Sequence, residues 1–191
     1  MKKQNFLSKL KDDGKIEMVE PSEEIKLSYL AKGDNCLKAA KLLLPHSLYE
    51  NSIVNSYYAM YNYLIALFFK AGIKCENHSG AIILFKLLFK NNIDLIRIIS
   101  KAKEERIDKQ YYLESKENIE LTNYSAQEMI DKAEDFIIKI KLFIDNLSNN
   151  DIIDIRNKFT ALFMNKQESL KGPLTKENSK TEEEKADKKD V

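Results

Sequence analysis

Apolar residues recur at spacings of three and four along most of this chain, and residues 53–68 carry the densest version of the pattern. Ile53, Tyr57, Tyr61, Leu64/Ile65 and Phe68 form one stripe at the helical period, and Asn55, Ala59, Asn62 and Ala66 form a second stripe beside it. Apolar cover over much of the circumference fits the central helix of a bundle rather than a peripheral one. The small and amide side chains of the second stripe let a neighbouring helix come close, or line a polar groove. Gly72 is the natural stop signal, because glycine readily takes the left-handed conformation that ends helices.

The same reading places other helices around this one. Pro21-Ser22-Glu23-Glu24 is a helix start, with Ser22 able to accept from a free backbone N–H and two acids at the positive end of the dipole. Ile25, Tyr29, Gly33, Cys36/Leu37, Ala40 and Leu43/Leu44 continue it to Pro45. Gly33 weakens such a helix by about 1 kcal/mol relative to Ala, so it is expected to permit a close helix contact. The short link through His46 and Ser47 makes the first two long helices antiparallel neighbours. After a loop over 73–77, His78-Ser79-Gly80 opens a short apolar helix to Lys90, and Asn91-Asn92 breaks it. A further helix from Ile93 passes into a charged segment in which Glu105 and Lys109 stand four apart, the favourable order for an ion pair. Residues 114–123 are polar and non-periodic, a loop. Ser125 and Glu128 have capping-box spacing ahead of the most regular stripe in the chain, Ala126 to Leu147. No stretch shows convincing strand alternation.

The expected fold is therefore all-α: an up-and-down antiparallel bundle of four to five main helices over residues 22–147, with an extra C-terminal helix over 148–171. Residues 1–21 mix charges with isolated apolar positions and are expected to form a loosely held, flexible arm. Residues 172–191 have almost nothing to bury and are expected to be disordered. Composition agrees with this reading, since Gly 5 and Pro 3 are too few for many turns between short strands. The formal net charge is +1, from 31 basic and 30 acidic residues, so no global field draws the protein to nucleic acid or membrane. RNA binding would need a local patch. Cys36 and Cys75 lie in different segments without metal-ligand spacing and are expected to be reduced thiols of a cytoplasmic protein. Neither a secretory leader nor an apolar run long enough to span a bilayer is evident, so no membrane association is expected.

Motifs narrow the chemistry mainly by elimination. The chain contains no phosphate-cradling glycine loop, HExxH, Gly-x-Ser-x-Gly or Cys/His zinc spacing, and with His 2 a histidine-rich metal site is excluded. No metal or other cofactor is called for. Arg106 with Tyr111 and Tyr112 remains, and His78-Ser79 stands where free N–H groups at a helix start could receive a phosphate. Each has a plainer account. Arg106 could be a solvated helix residue paired with Gln110 or a nearby acid, the two tyrosines could close the end of the bundle, and His78 could cap its helix or sit half-buried. Tyr57, Tyr58 and Tyr61 read as core rather than site.

One resemblance adds to this. The order Ser56-Tyr57-Tyr58-Ala59, an aliphatic-aromatic helix, Lys70-Ala71-Gly72 and then His78-Ser79-Gly80 resembles the HEPN domain (higher eukaryotes and prokaryotes nucleotide-binding). It is most similar to the small prokaryotic branch with a YYA signature, and the likeness runs through Arg106 and Tyr111 over roughly residues 24–147. The resemblance implies a homodimer, often paired with a minimal nucleotidyltransferase as a toxin–antitoxin couple, and RNA or a nucleotide as ligand. For nuclease members it implies metal-independent RNA cleavage by an Arg followed four to six residues later by His. The guanidinium offsets growing charge on the scissile phosphate, and the imidazole moves the 2′-hydroxyl proton.

Here Arg106 stands in the Arg position, but Tyr111 follows it, and no His lies between Arg106 and Val191. A phenol of ordinary pKa near ~10 is a poor base at neutral pH, though it can hydrogen-bond phosphate or stack on a base. Two readings follow. In one, the protein is a toxin-like RNA-binding protein or endoribonuclease, with Arg106 and Tyr111 catalytic and Tyr112, His78, Ser79 and Lys109 binding ligand. In the other, it is a non-catalytic nucleotide-binding or adaptor module for a nucleotidyltransferase, with Tyr111 or Tyr112 as the modified group. Convergence of Lys101, Lys103 and Lys109 on Arg106 would favour RNA.

Overall fold

The computed structural model of the chain describes residues 2–89, 92–111 and 122–164, with the side chains of residue 2 and residues 107–111 outside that description. Among the described residues the architecture is all-α apart from one two-stranded ribbon. Helix α3 (Tyr49–Ala71) is its axis. Ile53, Tyr57, Met60, Leu64, Leu67 and Phe68 are among its fully buried side chains, and they point to several sides of the helix. A helix so apolar around its circumference is stable only when surrounded. α2 (Glu23–Leu43) and α6 (Asn123–Asn146) cover most of it, and α4 (His78–Leu88) and α5 (Ile93–Tyr111) close the remainder.

Local chemistry sets the boundaries. α2 starts where Ser22 Oγ accepts from the Ile25 N–H (3.2 Å), and a single 3₁₀ turn (Leu44–His46) reverses the chain into α3. α3 stops at Gly72, which has φ +71°. Gly33 does provide a close contact: a Cβ placed there would lie 2.5 and 2.7 Å from ring carbons of Tyr63 and 3.2 Å from the Ala59 carbonyl. That ring is fully buried, and its hydroxyl donates to Asp34 Oδ1 at 2.6 Å.

Three local expectations are corrected. Residues 1–21 do not form a loosely held arm. They fold as α1 (Lys2–Asp12), which buries Leu7 and Leu10, and β1 (Ile16–Met18). The supposed loop after Gly72 is likewise β2 (Ile73–Cys75), antiparallel to β1 with Ile16 opposite Cys75 and Met18 opposite Ile73. Strands of three residues are too short for alternation to register, and each owes its conformation to a partner far away in sequence. The capping box of α6 is formed by Thr122 and Ser125 rather than Ser125 and Glu128. Thr122 Oγ1 accepts from the Ser125 N–H (3.1 Å) and Ser125 Oγ from the Thr122 N–H (3.2 Å), while Glu128 pairs with Lys132 at 2.8 Å.

The C-terminal helix α7 (Asn149–Met164) buries Ile155 and Phe159 against the bundle. Its Arg156 Nη1 donates to the carbonyls of Val19 (2.7 Å), Gly72 (3.3 Å) and Ala71 (3.5 Å). One guanidinium thus satisfies carbonyls at the negative end of α3 and ties it to the segment after β1. No helix among the described residues is long and apolar enough to cross a membrane. Residues 165–191, including the tail expected to be disordered, lie outside the described residues.

Two substitutions test this packing. Gly33→Ala should lower stability by about 1–3 kcal/mol, because overpacking against the anchored Tyr63 ring outweighs the roughly 1 kcal/mol gain in helix propensity. A rise in the urea midpoint would refute the close contact. Arg156→Leu should cost about 1.5–3 kcal/mol by leaving carbonyls unpaired, measured in the same denaturation series.

Candidate functional site

The aromatic face of α3, the start of α4 and the second half of α5 meet at one place. Residues 57, 58 and 61 lie within about 100° of one another around a helix, so they share one face that runs from the core to its rim. Tyr57 is fully buried, whereas Tyr58 and Tyr61 remain half-buried at the rim. α4 begins beside them because Asn77 caps it, Asn77 Oδ1 accepting from the Gly80 N–H at 2.9 Å. His78 is thereby relieved of capping. Its ring stacks on Tyr61 (centroids 3.8 Å apart, planes at 21°) and meets Tyr58 edge-on (5.8 Å, 72°). Its Nδ1 lies 2.7 Å from the Tyr57 hydroxyl oxygen.

From α5, Lys103 and Arg106 are three residues apart and face the same way. Lys103 Nζ donates to Ser79 Oγ at 2.6 Å. Arg106 is half-buried, not a solvated surface residue. Its Nη1 donates to the Tyr58 hydroxyl at 3.2 Å, and its Cζ stands 5.2 and 5.7 Å from the ring centroids of Tyr57 and Tyr58. The ring faces attract the cation, holding it without a carboxylate from any described residue. Arg106 Nε is buried and has no hydrogen-bond partner among the described residues. No ion pair among the described residues joins Arg106 or Lys103 to an acid. Lys101, by contrast, is turned to Glu105 at 3.8 Å, which Lys132 also approaches at 3.5 Å.

Burial and two neighbouring cations set the protonation state. The His78 imidazole is pushed down to about 4, first by burial and then by the charges of Arg106 and Lys103. Burial holds the Tyr57 and Tyr61 phenols well above their ordinary range. Near neutral pH the cluster therefore consists of two cations, a neutral imidazole and neutral phenols.

Of the residues singled out from sequence, Arg106, His78 and Ser79 come together here. Tyr111 is the last residue of α5, but its side chain, that of Lys109 and all of Tyr112 lie outside the described residues. Sequence reasoning assigned Tyr57, Tyr58 and Tyr61 to the core, and named Lys103 only with Lys101 and Lys109 as lysines whose convergence on Arg106 would favour RNA. Two signals pointed to them: adjacent tyrosines that must diverge on a helix, and a lysine three residues before the arginine. A cavity of about 660 Å³ lies elsewhere, lined by Phe89, Phe143, Leu147, Ile155 and Leu162, and none of the cluster residues line it.

Comparison with known proteins covers this same region. Residues 27–142 match the HEPN domain family model, a span from α2 to α6 that includes every residue of the cluster. A protein of Methanocaldococcus jannaschii named "Putative toxin MJ0605" is 32% identical over 109 residues, covering 55% of this chain and 78% of that protein. A "UPF0332 protein" of Thermotoga maritima is 29% identical over 116 residues, covering 59% of this chain and 85% of that one.

The depressed His78 pKa has a defined consequence for stability. The unfolded imidazole titrates near ~6.5, above the folded value of about 4, so as pH falls through this window the unfolded chain takes up the proton first. The contribution of His78 is whole above the upper limit and lost progressively toward the lower one. Urea unfolding of wild type and His78→Gln between pH 7.5 and 4.5 should show their stability difference shrinking as pH falls. A constant difference would mean that the imidazole titrates normally in the fold.

Proposed function

This chain belongs to the HEPN domain family, and from that premise we propose that it is a toxin-type, RNA-directed protein that holds a phosphodiester at Arg106 and works as a homodimer. The observation that carries the reading is the state of Arg106. Its guanidinium lies against two tyrosine faces with a phenol as its one hydrogen-bond partner among the described residues, and its buried Nε–H is unspent. A guanidinium kept away from carboxylates presents paired N–H donors, the geometry that phosphate oxygens accept. A buried N–H left without an acceptor costs about 1–3 kcal/mol, which a bound anionic oxygen would return. Lys103 adds a second charge within the cluster, and the half-buried Tyr58 ring offers a face to a base. With a net charge of +1, such a local patch is what RNA binding requires. Convergence of Lys103, though not Lys101, supports the same reading.

In the finer form of the proposal the protein is a metal-independent endoribonuclease. Arg106 would offset the charge growing on the phosphoryl group, with one arginine from each protomer facing a shared cleft. The 2′-oxygen would attack phosphorus as the bond to the 5′-oxygen breaks, giving a 2′,3′-cyclic phosphate and a 5′-hydroxyl whose proton comes from water. Tyr111, five residues beyond Arg106, is the residue we assign to take the 2′-hydroxyl proton, which requires its phenol to be driven well below the usual ~10. Lys109 and Tyr112 would extend the binding surface.

The absence of any His between Arg106 and Val191 favours a second reading. In it the site binds a nucleotide without cleavage, and the protein engages a nucleotidyltransferase antitoxin that modifies Tyr111 or Tyr112. The toxin name carried by the Methanocaldococcus relative is compatible with such a couple.

Fluorescence anisotropy with a labelled single-stranded RNA, beside cleavage of a mixed RNA pool in EDTA, tests these readings. Arg106→Ala, its fold checked by thermal melting, should bind RNA at least about tenfold more weakly than wild type and should abolish cleavage. RNA affinity indifferent to the substitution would sink the proposal. Binding without cleavage would retain the RNA site and move the search to a nucleotidyltransferase partner.

A further inference from the structure

We propose that His78 serves the Arg106 site as a neutral hydrogen-bond donor to a phosphoryl oxygen through Nε2–H, and that Tyr57 is the positioning residue that fixes this tautomer. The proposal rests on the RNA-directed reading of the site and deepens it.

The argument begins with the hydrogen on Tyr57. This side chain is fully buried, and among the described residues its hydroxyl has a single partner, His78 Nδ1, at 2.7 Å. Two arrangements are conceivable. If Nδ1–H donated to the phenolic oxygen, the phenolic hydrogen would be buried with no acceptor, a costly outcome away from water. If the hydroxyl donates to Nδ1, both groups are satisfied and the ring proton must sit on Nε2. Burial keeps the phenol protonated, so the donor is always present.

The surroundings hold the ring in that pose. Tyr61 stacks on one face and Tyr58 meets it edge-on, which restrains rotation about the side chain. Nε2 lies on the side of the ring away from Nδ1 and makes no hydrogen bond among the described residues. Charged or titratable groups face the ring from two helices: Tyr57, Tyr58 and Tyr61 from α3, and Lys103 and Arg106 from α5. The two cations oppose a third positive charge, and the imidazole stays neutral near pH 7.

A neutral imidazole of this tautomer has a definite chemical repertoire. Nδ1 is occupied by Tyr57, and Nε2 already carries its proton, so His78 accepts no proton from a 2′-hydroxyl. It donates one directional hydrogen bond beside the charge of Arg106 and Lys103. The imidazole absent from the stretch after Arg106 is therefore not supplied by His78 acting as a base, and its contribution lies in holding the phosphate.

Glutamine separates the two roles, because its amide N–H can stand near the position of Nε2 and donate, but cannot exchange a proton. Labelled single-stranded RNA should bind His78→Gln within about threefold of wild type and His78→Ala at least about tenfold more weakly. Any cleavage by wild type should survive in His78→Gln. A long-range ¹⁵N–¹H spectrum of the wild type at pH 7 should show His78 protonated at Nε2 and bare at Nδ1, with mixed tautomers in Tyr57→Phe; thermal melts check that each variant folds. Protonation at Nδ1, loss of cleavage in His78→Gln with binding intact, or RNA affinity indifferent to His78→Ala would each overturn the donor role alone. A wild type that binds no RNA would bring down the RNA-directed reading and the donor role with it.

Discussion

The fold depends on surrounding α3 completely. Its apolar and aromatic residues occupy nearly the whole circumference, and burying each large side chain contributes about 1.5–3 kcal/mol, so the helix draws its neighbours onto every side. Such a helix can carry buried polar groups only where each finds a hydrogen-bond partner. Ser52 Oγ donates to the Ala40 carbonyl and Ser56 Oγ to the Ser52 carbonyl, both at 2.9 Å, while Tyr63 reaches Asp34. Tyr57 reaches His78. The two serine bonds stay within the core, and Tyr63 reaches an exposed carboxylate of α2. Tyr57 leads out of the core to a half-buried imidazole, and the candidate site begins there.

The site is thus an extension of the packing constraint. Tyr57 turns inward, while Tyr58 and Tyr61 on the same side of α3 stand half-buried at the rim, where both meet His78 of α4 and Tyr58 also meets Arg106 of α5. Asn77 takes over capping of α4, which frees His78 to fill the aromatic slot. The ring faces then receive Arg106, and Lys103 follows one helical turn away on the same side. Among the described residues the guanidinium is held by rings and one phenol, which leaves donors available that a carboxylate would have consumed. Partial burial and two adjacent cations also push the imidazole beside them toward its uncharged form.

Elements outside the family match at residues 27–142 contribute support rather than chemistry. α1 places Leu10 against the start of α4, where a Cβ added at Gly80 would lie 2.8 Å from Leu10 Cδ1. β1, by pairing with β2 inside the match, fixes the segment between Gly72 and His78, and therefore where α4 begins. α7 reaches across with Arg156 to the carbonyls of Ala71, the last residue of α3, and of Gly72, which caps it. All three act on the end of α3 and the segment that leads from it to His78, so they brace the approach to the site without entering it.

Sequence by itself determined what depends on periodicity and local chemistry. The stripes along residues 25–44, 53–68 and 126–147 specify α2, α3 and α6. Ser22 and Gly72 mark boundaries, and Gly33 marks a close approach, because each acts within a few residues of itself. The order of the YYA segment, the His-Ser-Gly and Arg106 was enough to indicate the family. Pairings between distant residues were decided by tertiary structure alone. Ile16 opposite Cys75, Arg156 on the carbonyl of Val19, and Leu7 and Leu10 in the core have no local signature, since the strands are three residues long and the partners lie far apart in sequence. The same holds for the site. Tyr58 and Tyr61 look like core in a one-dimensional stripe, and Lys103 looks like solvated charge, until the packing of α4 and α5 on α3 brings them to one place and leaves His78 neutral among them.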